Sequence, residues 1–364
     1  MMAHLESYAA AKPVDQMTGR DTLNDPNWFL HRFLTQSETF IFVRSDRSEL
    51  VGATFLDDRH NFRTSDDARR VSFDEALAWS EEGALERAAR IIAHKSFCGS
   101  TLLARLVDRD PSAVSYKEPQ VILDVADLKA ARRGLAKDPV RWPVLLRFVL
   151  SQLSKTWSAD ERVVIKPSNW ANNILPDIAR HVPDAYWAFV GIDLHDYIVA
   201  NLRGGKERLA YSLKLFDHLA QTSGPHRRLA KRLDGDEPST VRRVLKLLAL
   251  SHRLQGRLFD DAESAISEDR RIGLTKAELQ GAPQMNARRV RRRFSLPEAH
   301  APSAPAESIE AVLSRHAKAP GQNFDLAREQ AMDRRIIEQF GADIDAALVW
   351  AGATLAGPSD QLSA

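Results

Sequence analysis

The apolar residues of this chain fall into short runs that alternate with segments of helical spacing. Four runs rich in β-branched, aromatic or small apolar residues predict buried strands, at 88–93, 113–116, 163–165 and 186–190. The segments between them are predicted to be helical, beginning with Leu102, Leu103, Leu106 and Val107 on one face. Strands that alternate with helices predict an α/β fold of three layers, in which helices flank a parallel sheet.

The residues before this alternation have a different pattern. Residues 1–25 are polar with scattered alanines, and we expect a disordered N-terminus with ordered structure beginning near Trp28. Residues 26–87 predict an N-terminal extension. It would contain a β-hairpin of the apolar runs 40–43 and 51–55, followed by a short helix at 73–80.

The residues after the last predicted strand favour helices. Helical spacing from 207 to about 267, with a start signal at Ser239, predicts an all-helical insertion or cap. Several prolines follow, and then a last helix from 325 to about 350. The predicted organisation is therefore a core at 88–205, the helical insertion at 206–294, and a linker with a C-terminal helix closing the core at 295–364.

Composition excludes several classes of protein. The 51 basic and 49 acidic residues nearly cancel, so the chain has no strong field to attract nucleic acid or an anionic membrane. The single cysteine, Cys98, cannot form an internal disulfide, which favours a reducing compartment. Because we find neither a signal-peptide core nor an apolar stretch of about 18 residues, we expect a cytoplasmic protein.

The strand at 88–93 leads into a turn that is typical of phosphate-binding loops, Ser96-Phe97-Cys98-Gly99-Ser100-Thr101-Leu102. A strand, a glycine turn and a helix together present backbone N–H groups and a positive helix end to an anion. Gly99 would let the backbone approach a phosphate, and Ser100 and Thr101 would add hydroxyl donors. A Gly-Ser helix cap without a ligand is the structural alternative.

The residues that follow this turn resemble a known family. The run from Phe97 to Pro111, followed by Lys117-Glu118-Pro119, resembles the start of the sulfotransferase fold, especially the Golgi tyrosylprotein sulfotransferases and their bacterial relatives. The run from Val164 to Asn169 resembles that family's strand ending in Lys-x-Pro, and a helix and a Pro-Asp-Ala strand come next. The resemblance covers residues 90–202, under a third of the chain.

This resemblance implies an activity. The family transfers a sulfuryl group from 3′-phosphoadenosine 5′-phosphosulfate (PAPS) to a hydroxyl or amine without a metal. It places Glu118 as the base and Lys166 as the residue that stabilises charge during transfer. The acceptor would be a small molecule or a peptide. The residues implied to bind the cofactor are Lys95, Ser96, Cys98, Gly99, Ser100, Thr101 and Leu102, with Arg315 and Lys318 from a C-terminal loop.

The chain departs from the family at two phosphate contacts. The basic residue before the loop's Ser-Gly falls on Phe97, and Lys95 lies two positions earlier. The arginine and serine that hold the 3′-phosphate fall near 191–192 and 199–200, where no side chain can bind a phosphate, and Asp193 and Asp196 would repel it. If PAPS is the donor, a cation from elsewhere must replace them. The candidates are the arginine run at 288–293 and the pair Arg315 and Lys318, of which we favour the pair.

Two other functions are compatible with the sequence. A P-loop phosphotransferase or kinase-like protein is one, although Ser100 stands where such loops carry a lysine. A non-catalytic protein that binds a nucleotide or a partner is the other. Cys98 would be reactive if it were exposed at the helix start, but close packing beside Gly99 explains it equally well. The histidines and the single cysteine have no metal-ligand spacing, so we predict no metal site.

Overall fold

The computed structural model describes residues 12–80, 88–297, 312 and 325–355. Its first part is a four-stranded sheet with the order β1-β4-β3-β2 and three helices. The strands are β1 (Lys12–Pro13), β2 (Trp28–Leu34), β3 (Thr39–Arg44) and β4 (Thr64–Ser72). The helices are α1 (Gln16–Asn24), α2 (Arg47–Gly52) and α3 (Phe73–Ser80).

This N-terminal sheet corrects two predictions. Helix α1 lies inside the segment that we expected to be disordered, so ordered structure begins before Trp28. The predicted hairpin is also wrong, because β3 pairs with β2 and the run 51–55 forms no strand. The reason is local: the Asp46 side chain accepts a hydrogen bond from the Glu49 N–H and starts helix α2 where a turn was expected. The helix predicted at 73–80 is confirmed as α3.

The second sheet has five parallel strands in the order β6-β7-β5-β8-β9. They are β5 (Arg90–His94), β6 (Ala113–Lys117), β7 (Arg162–Lys166), β8 (Tyr186–Gly191) and β9 (Arg271–Thr275). The first four confirm the strands predicted from the apolar runs. Strand β9 lies within the segment 206–294, which is therefore not purely helical. It is an edge strand in which only Leu274 is buried, so it has no apolar run to reveal it.

Helices cover this sheet, which confirms the α/β class. They are α4 (Ser100–Val107), α5 (Gln120–Ala130), α6 (Arg141–Leu153), α7 (Leu175–His181), α8 (Leu194–Arg203), α9 (Gly205–Ala220), α10 (Gly224–Asp236), α11 (Thr240–Glu263), α12 (Lys276–Gly281), α13 (Pro283–Arg293) and α14 (Leu326–Leu355). Short 3₁₀ helices lie at Gly134–Lys137, Asn169–Ile174 and Glu268–Arg270. None of the helices in the described ranges is both long and apolar enough to cross a lipid bilayer.

Successive residues of the central strand β5 face opposite sides of the sheet. Ile91 and Ala93 pack in one hydrophobic cluster, whereas Ile92 packs in another. Phe40 of the N-terminal sheet belongs to the same cluster as Ile91. The N-terminal extension therefore shares a core with the parallel sheet, and its loops can reach the carboxyl ends of the strands.

The strand order defines where a ligand would bind. After β5 the chain forms β6 and β7 on one side of it, and then crosses to form β8 and β9 on the other side. At such a reversal, the loops after neighbouring strands diverge and leave a crevice at the carboxyl ends. The loops after β5, β6 and β7 are therefore expected to line a binding site.

The contact of α1 with α3 provides a stability test. A Cβ atom on Gly19 would lie 2.0 Å from the ring of Trp79. We expect Gly19→Ala to lower the free energy of unfolding by about 1–3 kcal/mol, because the ring must move. Gly235→Ala in α10 is the matched control, since no atom lies within 4 Å of its Cβ. Urea titration should show no loss for the control, and equal stability of the two variants would contradict the expected contact.

Candidate functional site

The turn after β5 has the predicted geometry. Strand β5 ends at His94, and helix α4 begins at Ser100 with Gly99 as its N-cap. Gly99 is in the left-handed region, with φ 87° and ψ 8°, a conformation that residues with a Cβ rarely adopt. Its carbonyl accepts a hydrogen bond from the Leu103 N–H at 3.0 Å. Gly99 therefore makes the left-handed turn between the end of the central strand and the start of α4.

The other residues of the turn are packed tightly. Cys98 is buried, and its Sγ lies 2.9 Å from the carbonyl of Lys95, to which the thiol donates. Ser100 and Thr101 are also buried, whereas Gly99 is exposed beside Leu279 of α12. The thiol is thus part of the turn's packing and is not presented to solvent.

Lys95 points toward helix α11. Its Nζ lies 3.4 Å from Nε2 of His252, and a Cβ on Gly256 would lie 3.2 Å from the same Nζ. Burial lowers the pKa of Lys95 from its ordinary value of 10.5 to about 8. The side chain predicted to bind the cofactor is therefore engaged in the packing of α11 against the sheet.

The structure brings Glu118 and Lys166 together. Glu118 follows strand β6, and Lys166 is the last residue of the neighbouring strand β7. The Glu118 N–H donates to the Lys166 carbonyl at 2.7 Å. Lys166 Nζ donates to Glu118 Oε1 at 2.9 Å, and the lysine side chain is 0% exposed. Glu118 has a φ of 58°, which is uncommon for a residue with a side chain and costs about 1–3 kcal/mol. The backbone is thus held in an unfavourable conformation that directs this carboxylate to the lysine.

His94 completes the surroundings of the ammonium group. Its Nε2 lies 3.0 Å from Lys166 Nζ, and its Nδ1 lies 2.9 Å from the Lys95 carbonyl. Nε2 also lies 3.1 Å from the Pro167 carbonyl, so each ring nitrogen has a carbonyl within hydrogen-bond distance. The imidazole is therefore held between the end of β5, the loop after β7 and the ammonium group.

A cation that the sequence did not reveal lies on the other side of Glu118. Arg59 Nη2 is 3.3 Å from Glu118 Oε2, and Arg59 Nε is 2.8 Å from Asp57 Oδ1. Arg59 belongs to the loop after α2, which is bound to the end of β6 because the Leu56 N–H donates to the Lys117 carbonyl at 2.7 Å. This charged stretch has no motif and precedes the core in the sequence, so the sequence gives no signal for it.

These side chains surround a cavity of about 610 Å³ at the carboxyl edge of the sheet. The strand ends contribute His94, Ser96, Phe97, Glu118 and Ser168. The N-terminal loop contributes Phe55, Asp57 and Arg59, and helix α9 contributes Glu207, Arg208 and Tyr211. Of the turn at 96–102, Ser96 and Phe97 line this cavity, whereas Gly99, Ser100 and Thr101 do not.

The wall formed by α9 is joined to the strand ends by polar contacts. Tyr211 donates its hydroxyl hydrogen to Asn169 Oδ1 at 2.8 Å, and Asn169 in turn donates to the Ser96 hydroxyl. The guanidinium of Arg208 lies over the ring of Phe97 at 4.6 Å. The helical segment therefore packs on the turn that follows β5.

The other cations that we considered lie elsewhere. Arg315 and Lys318 are outside the described residues. The arginine run is on α13, where Arg291 donates to the Val107 carbonyl at 2.7 Å and pairs with Asp110 at 2.9 Å. Arg288, Arg291 and Arg292 line a separate cavity of about 970 Å³. This run stabilises the contact of α13 with α4 and does not line the cavity at Glu118.

The acidic residues after β8 are partly neutralised. Asp196 pairs with Lys276 at 2.7 Å, and Asp193 caps helix α8 by accepting from the Asp196 N–H at 2.8 Å. In the described part of the chain, one group of side chains could hold a metal ion, namely these two aspartates with His195. Since both carboxylates already have partners, the repulsion that we expected from them is weakened.

Two solved sulfotransferase structures are similar to this chain. The sulfotransferase domain from the curacin biosynthetic pathway matches 70% of this chain and 97% of its own, with 10% identity and a TM-score of 0.37. A sulfotransferase from Alicyclobacillus acidocaldarius matches 71% of this chain and 96% of its own, with 12% identity and a TM-score of 0.35. No family model and no curated protein matches the chain. Superpositions this loose do not define a function, which we infer from the residues of the site.

The fold and the site together define a class of protein. It is an α/β protein in which a glycine turn follows the central strand of a five-stranded parallel sheet. A buried pair, Glu118 and Lys166, lies at the ends of the two strands beside that turn.

The buried pair can be tested by its effect on stability. Glu118→Gln leaves the ammonium of Lys166 without its carboxylate, and we expect the free energy of unfolding to fall by about 3–5 kcal/mol. The double variant Glu118→Gln/Lys166→Met removes both charges and should recover most of this loss.

The matched control for this test is an exposed ion pair. Asp343→Asn breaks the contact of Asp343 with Arg242. The side chain of Asp343 is 30% exposed and that of Arg242 is 48% exposed. Its cost should stay under about 1 kcal/mol. If Glu118→Gln costs no more than the control in urea titrations, the lysine does not depend on Glu118.

Proposed function

We propose that this protein transfers a sulfuryl group from PAPS to a hydroxyl or amine acceptor. The observation that carries the proposal is the Glu118–Lys166 pair, which lies at a cavity beside a glycine turn and a helix start. A turn of this kind suits a phosphate, and a carboxylate at the neighbouring strand end suits proton removal from an acceptor. The resemblance of residues 90–202 to the sulfotransferases agrees with both roles.

The residues of the chain fit the phosphosulfate end of PAPS better than its 3′-phosphate. Gly99 is exposed at the start of α4, as a site for the 5′-phosphate requires. Gly191, Val199 and Ala200, which lie where the family binds the 3′-phosphate, offer no cation. However, Arg208 Nη1 donates to the carbonyl of Ala200 at 2.9 Å, so a guanidinium is present in that region.

Each residue of the cluster would have a distinct role. Glu118 would take the proton of the acceptor, because its carboxylate lines the cavity. Lys166 is fully buried, so it would act through Glu118 by holding Oε1, while Oε2 contacts Arg59 at the cavity wall. His94 would fix the ammonium group, and Arg59 would supply positive charge at the cavity wall.

The cavity also limits the acceptor. Phe55, Trp170 and Tyr211 offer aromatic surface, and Asp127 and Glu207 offer negative charge. These walls suit a small molecule or a peptide side chain that carries a ring with a hydroxyl or an amine. We place this reaction in the cytoplasm as part of the proposal, since Cys98 is a free thiol.

The donor can be tested by its 3′-phosphate. We expect adenosine 3′,5′-bisphosphate to bind at least tenfold more tightly than AMP, because AMP lacks the charge-assisted hydrogen bonds of the second phosphate. Isothermal titration calorimetry with both ligands measures this ratio, and adenosine alone is the control for the base. Equal affinities for the two nucleotides would refute PAPS as the donor and would favour a phosphotransferase or a binding protein.

The base can be tested without knowing the acceptor. Radiolabelled PAPS is incubated with the protein and a cell extract, and the label that reaches organic acceptors is counted. The double variant Glu118→Gln/Lys166→Met should lower the transfer rate by about a hundredfold to ten-thousandfold while it remains folded. Lys214→Gln on the exposed face of α9 should transfer at the rate of the unchanged protein. Full activity in the double variant would exclude Glu118 as the base.

A further inference from the structure

Arg208 is a half-buried cation at the wall of the cavity. It lies on α9, one turn before Tyr211, and its guanidinium stacks on the ring of Phe97 at 4.6 Å. Phe97 is two residues before Gly99 and has a φ of 63°. The guanidinium is therefore held against the turn that precedes helix α4.

The hydrogen-bonding capacity of Arg208 is mostly unused. A guanidinium has five N–H donors, and the structure gives Arg208 one hydrogen bond, from Nη1 to the Ala200 carbonyl at 2.9 Å. Over the ranges that the structure describes, no carboxylate lies within 4.0 Å of it, including Glu207, which is exposed on the same helix. Its charge is thus not neutralised by an ion pair.

Other arginines near the cavity are different. Arg59 contacts the carboxylates of Asp57 and Glu118, at 2.8 and 3.3 Å. Arg203, at the end of α8, pairs with Asp333 at 2.6 Å and with Glu329 at 3.4 Å. Burial lowers the pKa of Arg208 from its ordinary value, the charge of Arg203 adds to this effect, and the charge of Glu329 opposes it. Within the described ranges, Arg208 is therefore a cation at this wall that is partly removed from water and has no carboxylate within 4.0 Å.

The partly buried charge of Arg208 needs a favourable interaction in place of the water that it has lost. Partial removal of a guanidinium from water costs free energy, and an anion that binds to it restores the lost interactions. The planar fork of arginine binds phosphate and sulfate oxygens through two N–H groups at once. A helix start just beyond Phe97 adds further N–H donors for the same kind of anion.

We propose that Arg208 is an anion-binding residue of the cavity and takes a phosphate or sulfate group of the ligand bound there. The identity of that ligand as PAPS rests on the proposed function above, whereas the anion site rests on the geometry of Arg208. The sequence lacks a basic residue at position 97, and Arg208 supplies a positive charge on top of that same residue.

Calorimetric titrations of the full chain test this proposal. Three ligands are used: adenosine 3′,5′-bisphosphate, inorganic pyrophosphate and sodium sulfate. Arg208→Gln should weaken the binding of each anion that the unchanged protein binds by about tenfold to a hundredfold. Arg208→Lys should lose less, because it keeps the charge without the fork. Lys214→Gln is the matched control, since it removes an exposed positive charge from the same helix.

The outcomes separate this proposal from the proposed function. Bisphosphate binding that Arg208→Gln weakens, and Lys214→Gln does not, supports both. If Arg208→Gln binds the bisphosphate as tightly as the unchanged protein does, the anion site is overturned and PAPS is left as the donor. Pyrophosphate or sulfate binding that depends on Arg208, without bisphosphate binding, supports the anion site and overturns PAPS. If the unchanged protein binds none of the three ligands at millimolar concentration, the anion site is overturned.

A second measurement shows whether Arg208→Gln has lost affinity by misfolding. The melting temperature of the variant without ligand should stay close to that of Lys214→Gln. The affinity of the unchanged protein should also fall as salt is raised, and this dependence should be weaker in Arg208→Gln, because an ion contact is screened. A salt dependence that is identical in both proteins would overturn the assignment to Arg208.

Discussion

The ammonium group of Lys166 has no exposed surface, so its charge must be met inside the protein. This requirement organises the site. Glu118 adopts an uncommon backbone conformation and supplies the carboxylate, and His94 Nε2 lies 3.0 Å from the same ammonium. Arg59 of the N-terminal loop then donates a hydrogen bond to Glu118. One buried charge thus links the ends of β5, β6 and β7 to a segment that precedes the parallel sheet.

Much of this arrangement follows from the sequence. The apolar runs predict β5 to β8. Because neighbouring parallel strands bring their carboxyl ends to one edge of the sheet, the sequence also predicts that Glu118 and Lys166 lie close together. Gly99 at the end of a buried run was sufficient to predict the turn and helix α4. These features depend on local pattern and on the geometry of parallel strands, which a sequence carries directly.

The remaining features depend on contacts between distant segments. Arg59 reaches the site because the Leu56 N–H pairs with Lys117, a backbone bond with no sequence signature. Helix α1 is polar and is stabilised by contacts with other segments. For example, Arg69 of β4 donates to the Thr22 hydroxyl at 2.7 Å. Strand β9 has too few buried residues to form a pattern. The position of Arg208 likewise depends on how α9 folds back over Phe97, which periodicity does not determine.

The order in which the walls of the cavity occur along the chain has a consequence for synthesis on the ribosome. Arg59, Glu118 and Lys166 leave the ribosome before Arg208 and Tyr211, which close the opposite side. A nascent chain that ends before α9 can assemble the paired charges at the strand ends but still lacks this wall. Domains fold from the N-terminus during translation, so the edge of the sheet is open to solvent and to other chains at that stage. The emergence of α9 marks the point at which the nascent protein gains the wall that carries Arg208 and Tyr211.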